Sequence, residues 1–527
     1  MHLSSTTAAA AVCFLAATAV HAIPHYPRTQ GDNSIKWTPC KLGNTTVPME
    51  CGSLTVPLDY TDKTSNATLQ LQLQRAPAKK PCKDTKSILL NFGGPGADGI
   101  LDFVYFSERM QAATGGGHHL INLVPRGTNT TLPFSCYQND LLRNSNQPLA
   151  GNASNVALGF VWERAAFVGV DCKAAQNKTG SLIGTAFVAR DMMRVVDALG
   201  EDGMLRYWGV SYGTILGATA VAMFPDRVDK ILLDGVVNPF EYYENKETEL
   251  FTDSDAAFRG FMKGCLANPE LCPLAKNQTL SQLEDSIYSL FERLKSKPIG
   301  MSIPGYPGGG IMIDYSLVTS IVYRQLYTPF IWQTTAKCLN GLLSGNKTDA
   351  QRCLGGLDAP PANVRADQEA LQGIKCGDNR VHTANLTDML PVFEGRHQKS
   401  RYFGSSADIV PATCAQWTMP AKERYMGDFN VTPRKPVLVI GNTYDPITPL
   451  VSARNVSETF KGSVLLQHDA YGHDSLMQAS LCTAKAIRSY FSNGIMPEQG
   501  TKCGNEVALF SSEDGWDNVI KQLEESS

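Results

Sequence analysis

Tyr207-Trp208-Gly209-Val210-Ser211-Tyr212-Gly213-Thr214 is the stretch on which the fold turns. A Gly-x-Ser-x-Gly between an apolar strand and a helix is the pattern of a nucleophile elbow. The turn is so tight that its serine sits in strained backbone, and side chains at the flanking positions would strike neighbouring elements. Such strain exposes the Ser211 hydroxyl at the top of a sheet, against the positive N-terminal end of the next helix. With glycine at an average of about 7%, a chain of this length carries the pentapeptide by accident about one time in four. Its neighbours must decide.

Short apolar runs alternate with helix-like segments on both sides of the elbow, the signature of an α/β domain with a largely parallel sheet. Strands are expected at Ser87–Phe92, Leu120–Val124, Arg206–Val210, Lys230–Leu233, Pro436–Ile440 and Ser463–Gln467. Helices are expected at Thr185–Leu199 and Thr214–Phe224, on either side of the elbow strand. The later helical stretches Leu280–Lys295 and Ser316–Leu343 are broken by Gly/Pro loops at Pro304–Gly310 and Gly355–Pro361. An insertion of helices and loops between two halves of a sheet reads as a cap. The expected division is a signal over 1–22, an extension with the first strands over 23–80, and core halves at 81–240 and 431–503. The cap insertion lies between them at 241–430, and a tail follows at 504–527.

A serine nucleophile needs a base, and the base an orienting carboxylate. The strand Val437-Leu438-Val439-Ile440 runs into Gly441-Asn442-Thr443-Tyr444-Asp445-Pro446, which puts Asp445 in a loop at the strand's carboxyl end. Val464-Leu465-Leu466 is followed by His468-Asp469-Ala470-Tyr471-Gly472-His473, where His473 is the expected base and His468 an ordinary packed or surface histidine. The order Ser…Asp…His is that of α/β-hydrolases. Ile88-Leu89-Leu90-Asn91-Phe92 ends in Gly93-Gly94-Pro95-Gly96-Ala97-Asp98-Gly99. A loop with so few side chains turns backbone N–H groups to a substrate carbonyl, so the expected oxyanion donors are the amides of Gly94 and Tyr212. The formal G-x-G-x-x-G of this loop is not a dinucleotide site, because its proline fits a pyrophosphate turn poorly and no acidic residue ends a following strand. No cofactor or metal is called for.

Of 527 residues, 43% are hydrophobic and 18% charged, and the net charge is −3, which gives no reason to expect nucleic acid or an anionic membrane as partner. Residues 1–22 are expected to be a secretory signal, an Ala/Val/Phe/Leu run ending Val20-His21-Ala22. Asn-x-Ser/Thr sequons stand at Asn44, Asn66, Asn129, Asn152, Asn177, Asn277, Asn346, Asn385, Asn430 and Asn455, about twice the number expected from ordinary composition. Fourteen cysteines, one of them in the signal, lack the C-x-x-C pairs of zinc sites. By local separation the expected disulfides are Cys40–Cys51, Cys136–Cys172, Cys265–Cys272, Cys338–Cys353, Cys376–Cys414 and Cys482–Cys503, with Cys82 left over. Signal, sequons and disulfides together point to a secreted, extracellular glycoprotein.

With these residues in place, the chain resembles the secreted tripeptidyl and prolyl aminopeptidase-like branch of the α/β-hydrolases, peptidase family S33. The likeness runs from Cys40 to about Cys503. It includes Val56-Pro57-Leu58-Asp59-Tyr60, the Gly93–Gly99 loop, Pro125-Arg126-Gly127-Thr128, the elbow, Leu233-Asp234-Gly235-Val236, Thr443-Tyr444-Asp445-Pro446, Gly472-His473 and Gly500-Thr501-Lys502-Cys503. It implies an α/β-hydrolase fold with a mostly parallel sheet and a helical, disulfide-containing cap. It also implies a serine acyl-enzyme that releases N-terminal residues or short peptides, and hence an anionic partner for the substrate ammonium, for which Asp234, Glu241 and Glu244 are candidates. Three departures touch that site. The family commonly has Gly-Ser at Ala97-Asp98, Asp at Val124, and Asp-Pro at Asn238-Pro239. An esterase, lactonase or amidase acting on a non-peptide metabolite, and a non-catalytic binding protein of the same fold, remain alternatives.

Overall fold

Apolar runs without polar alternation form the middle of one ten-stranded sheet. Its strands are β1 (Thr38–Pro39), β2 (Glu50–Pro57), β3 (Thr68–Ala76), β4 (Ser87–Asn91), β5 (His119–Val124), β6 (Leu205–Val210) and β7 (Val228–Asp234), followed after an interval by β10 (Val437–Tyr444), β11 (Val464–Tyr471) and β12 (Lys502–Gly504). A separate antiparallel pair, β8 (Ile299–Ser302) and β9 (Gly310–Ile313), lies in that interval. The computed structural model describes residues 34–139, 142–143, 149–302, 309–351 and 362–526. The expected signal, the Gly355–Pro361 loop, most of Pro304–Gly310, and Cys353 lie outside them.

The order across the sheet is β1-β2-β3-β5-β4-β6-β7-β10-β11-β12, antiparallel as far as β5 and parallel from there on. Strands β4 and β6 are buried along their whole length, as a sheet covered by helices on both faces requires. Alternation divides each strand between two cores. Tyr207, Ile231, Leu233, Val437 and Val439 face the helices Thr185–Ala198 and Tyr212–Met223. Trp208, Leu232, Leu438 and Ile440 face Ile100–Ala113 and Leu481–Asn493. The parallel register also aligns the carboxyl ends, with Asn91 beside Gly209, and Asp234 beside both Val210 and Ile440. All chemistry-bearing loops leave from that edge.

The six expected strands are present, most of them longer than the apolar runs indicated. Strands β12 and the β8–β9 pair, three or four residues each, carry no comparable run. The expected helix Ser316–Leu343 is two helices, Tyr315–Gln325 and Trp332–Ser344, separated by a 3-10 turn at Pro329–Ile331. Pro329 lacks an N–H and biases Thr328 away from helical backbone, so the helix must stop. The segment between β7 and β10 gathers its own core from Phe258, Phe261, Phe291, Trp332 and Phe403.

Five of the expected disulfides are formed, Cys40–Cys51, Cys136–Cys172, Cys265–Cys272, Cys376–Cys414 and Cys482–Cys503. Cys338 is also disulfide-bonded. Eight of the ten sequon asparagines are exposed, whereas Asn152 and Asn455 are half-buried and donate to Arg401 O and Glu249 Oε1. No helix among the described residues is long and apolar enough to cross a membrane.

Candidate active site

Strand β6 ends at Val210, and Ser211 then takes φ 58° and ψ −128°, backbone that a residue with a β-carbon rarely adopts. The flanking glycines make the turn possible. A Cβ on Gly209 would strike the Gly213 carbonyl, and one on Gly213 the Asn91 carbonyl. The Ser211 amide donates to Asp234 O at 3.1 Å, which ties the elbow to β7. The next helix starts at Tyr212, so the Tyr212 N–H belongs to the first turn, whose donors have no helical acceptor.

The Gly93–Gly99 loop runs directly against this turn. A Cβ on Gly93 would lie 2.7 Å from Ser211 Cβ and 2.9 Å from Tyr212 N. The Gly93 N–H is held by Asn91 Oδ1 at 3.1 Å, while the Gly94 N–H has no acceptor among the described residues. The two expected oxyanion donors thus lie on backbone segments in contact with each other. Asp98, where the family has a serine, accepts from Ile100 N at 2.9 Å at the start of the following helix, and from Asn129 Nδ2 at 2.5 Å.

Asp445 and His473 come together from the ends of β10 and β11. His473 Nδ1 faces Asp445 Oδ1 and Oδ2 at 3.2 and 3.1 Å. A carboxylate only accepts, so Nδ1 carries the proton and Nε2 is left as an acceptor. Asp445 has no exposed surface; Oδ1 receives the amides of Ile447 and Thr448, and Oδ2 receives Thr448 Oγ1 and the Asp474 amide. Burial pushes the Asp445 carboxyl up, but the His473 charge and these donors outweigh it and hold the pKa below the usual value. For His473 burial pulls downward, and the charge and hydrogen bond of Asp445, with Asp474 and Asp234 nearby, carry it above its ordinary 6.5.

The turn that carries His473 is anchored at each residue. Asn442 Nδ2 donates to Gly472 O and Asp474 O, and the His473 amide donates to Tyr327 O at 2.8 Å, with the Tyr327 ring 5.0 Å from the imidazole. Ser475 donates its amide and its hydroxyl to Asp234, at 3.0 and 2.6 Å. The elbow and the turn that carries His473 therefore meet through Asp234. Tyr327, Thr448 and Ser475 are neighbours of the site that the sequence alone does not single out. Thr448 was within reach, because an aspartate accepting from the amides two and three residues on is an ordinary Asx turn. Tyr327 had no local signal; the proline break is what turns its carbonyl outward. His468 is fully buried between Thr483 and the Gln478 carbonyl, and burial lowers its pKa to about 4.

The three ammonium candidates are engaged elsewhere. Asp234 is closed from solvent and filled by Ser475. Glu241 accepts from Thr248 Oγ1 and Glu249 N, and Glu244 pairs with Arg380 at 3.3 Å. Asn238, where the family has aspartate, caps the Pro239–Tyr243 helix and gives its amide to Glu249 at 3.0 Å. An aspartate there would face Glu249 with like charge. No group of three or more His, Cys, Asp or Glu among the described residues is arranged to hold a metal.

Residues 164–322 match the family described as alpha/beta hydrolase fold, and residues 400–503 match the TAP-like protein family. Serine protease Hip1 of Mycobacterium tuberculosis is 27% identical over 494 residues, covering 89% of this chain and 91% of the relative. Tripeptidyl aminopeptidase of Streptomyces lividans is 26% identical over 493 residues, covering 89% of this chain and 86% of the relative. The chain is a serine hydrolase of the α/β-hydrolase fold. In this hydrolase the TAP-like region spans β10, β11 and β12, and so contains both Asp445 and His473. The alpha/beta hydrolase match contains the elbow.

Proposed function

We propose that the hydrolase releases N-terminal residues or short peptides from peptide substrates through an acyl-enzyme on Ser211. The observation that carries the reading is the hold on His473: with Nδ1 committed to Asp445, Nε2 is the atom left to take the Ser211 proton. Ser211 Oγ attacks the scissile carbonyl, and the oxyanion is received by the amides of Gly94 and Tyr212. His473 returns its proton to the leaving amine, and Asp445 stabilises the imidazolium. Water, deprotonated by His473, then releases the acyl product and restores Ser211. The names of the two relatives support peptides as the substrate class. The segment 241–430 acts as the cap, since Tyr327 extends from it to the base. The disulfides, the sequons and the apolar start of the chain support secretion.

One observation favours a second reading, hydrolysis of a non-peptide ester or amide. Asp234, Glu241 and Glu244, the carboxylates suited to a substrate ammonium, each serve protein donors. A panel separates the two. Chromogenic peptides with a free N-terminus are compared with their N-acetylated forms and with simple acyl esters. Cleavage that requires the free amine supports the aminopeptidase, and ester turnover without peptide turnover overturns it. In the same assays Ser211→Ala should lower kcat by several orders of magnitude with the protein still folded; a variant that keeps its activity refutes the nucleophile assignment.

A further inference from the structure

Asp234 is a buried carboxylate that the acyl-transfer chemistry does not use. It ends β7, whose neighbours are β6 on one side and β10 on the other. Its carbonyl receives the Ser211 amide at 3.1 Å, and its carboxylate receives the Ser475 amide and hydroxyl at 3.0 and 2.6 Å. Ser475 is two residues beyond His473. The other ties of the turn that carries His473 run to Tyr327, to Asn442, to Asp445 and to Thr448. None of those residues is on the strand that carries Ser211 or next to it.

We propose that Asp234 is a positioning residue for the reaction, holding the nucleophile turn by its main chain and the base turn by its side chain so that both keep one register. The inference rests on the assignment of Ser211 and His473 as nucleophile and base. Its physical basis is the precision that proton transfer demands: a displacement of about 1 Å from a change outside the chemistry can cost about 100-fold in rate. The anchor suits the task because it is rigid. β7 is bonded on both edges, Asp234 has no exposed surface, and Gly235 leaves room for Asp474, since a Cβ there would lie 3.0 Å from Asp474 Cβ. The carboxylate also adds negative charge near the imidazole. Asp445, Asp474 and Asp234 surround His473 from their three segments, and Tyr327 covers it from the inserted one. Burial lifts the Asp234 carboxyl to about 6 against the pull of the Ser475 donors.

The test compares D234N and S475A with the unaltered enzyme, using whichever chromogenic substrate the panel identifies and, in parallel, the rate of labelling by a fluorophosphonate. D234N keeps the size of the side chain, removes its charge and offers an amide hydrogen to one of the two Ser475 donors. We expect kcat to fall about 10- to 100-fold with KM within about twofold, labelling to slow in proportion, and the acidic limb of kcat/KM against pH to move to lower pH. S475A keeps the backbone donor and should show a smaller fall, with the pH limb unmoved. Should D234N fail to fold, the S475A loss in kcat at constant KM and unchanged melting temperature carries the inference, and its absence overturns it. With D234N folded, an unchanged kcat and pH limb, or a loss confined to KM, overturns it. Failure of the parent assignment reads differently: Ser211→Ala would then keep its activity and its fluorophosphonate labelling whatever D234N does.

Discussion

His473 is where the charge balance of the site becomes measurable. It is buried, which alone would favour the neutral ring, yet the adjacent Asp445 carboxylate raises its pKa above 6.5. In the proposed mechanism acylation requires the neutral form, because Nε2 takes the Ser211 proton. The sign follows directly: at pH below the raised pKa the imidazole is already protonated and cannot act, and activity appears as pH rises through it. The free enzyme should therefore show an acidic limb in kcat/KM with its midpoint above 6.5, measured over a pH series in buffers of constant ionic strength. Asp445→Asn removes the charge that raises this pKa and lets the ring adopt the wrong tautomer, so kcat should fall on the order of 10⁴-fold. An unchanged rate in that variant would show that another group orients the ring.

At the scale of elements, the site is made by turns forced into close contact. Gly93 sits at φ 96°, and a methyl group there would come within 2.7 Å of Ser211 Cβ. Gly93→Ala should cost about 1–3 kcal/mol from backbone strain alone and displace the elbow as well, so that activity falls beyond the loss of stability. Gly200→Ala is the control. Gly200 also has a positive φ, 67°, but nothing lies within 4 Å of its would-be Cβ. That variant should lose stability in urea and keep its kcat; equal kcat in both variants would refute the link between the loop and the elbow. Pro329 is the other decisive interruption. Where the apolar spacing reads as one helix, a proline ends it and frees the Tyr327 carbonyl for the His473 amide.

At the scale of the whole molecule, buried ionic and polar contacts join parts that are distant in sequence. Arg126, after β5, is fully buried and donates Nε and Nη2 to Asp191 at 2.7 Å each, and Nη1 to the carbonyls of Leu58 and Leu182. Tyr60 OH donates to the same aspartate at 2.7 Å. The Pro125-Arg126-Gly127-Thr128 motif is therefore a structural tie between the edge of the sheet and the Thr185–Ala198 helix. Removing one partner leaves a buried charge uncompensated, so Arg126→Ala should lose about 3–5 kcal/mol in urea unfolding. A loss under about 1 kcal/mol would mean that water reaches Asp191. The inserted segment is tied to the elbow in a similar way. Asp378 accepts from Thr185 Oγ1 and Tyr242 OH, and Thr185 Oγ1 meets Tyr212 OH at 2.5 Å.

From the sequence alone the sheet core and the elbow are legible, and Asp445, His473 and the Gly93–Gly99 loop stand out as candidates. These are local patterns: apolar runs long enough to be strands, glycines where a Cβ cannot fit, and polar residues just past strand ends. It also named five disulfides from short separations. It did not separate a packed acid from a substrate-binding one, and Asp234 illustrates why. Read along the chain, Leu233-Asp234-Gly235 is an acid at a strand end, as suited to a ligand as to the protein. Only the parallel register, which sets β7 between β6 and β10, brings Ser475 to its carboxylate and the Ser211 amide to its carbonyl. The same holds for Tyr327. Hydrogen-bond partners far apart in sequence have no periodicity to reveal them, because the partner of a backbone N–H is chosen by how elements pack and not by its neighbours in the chain.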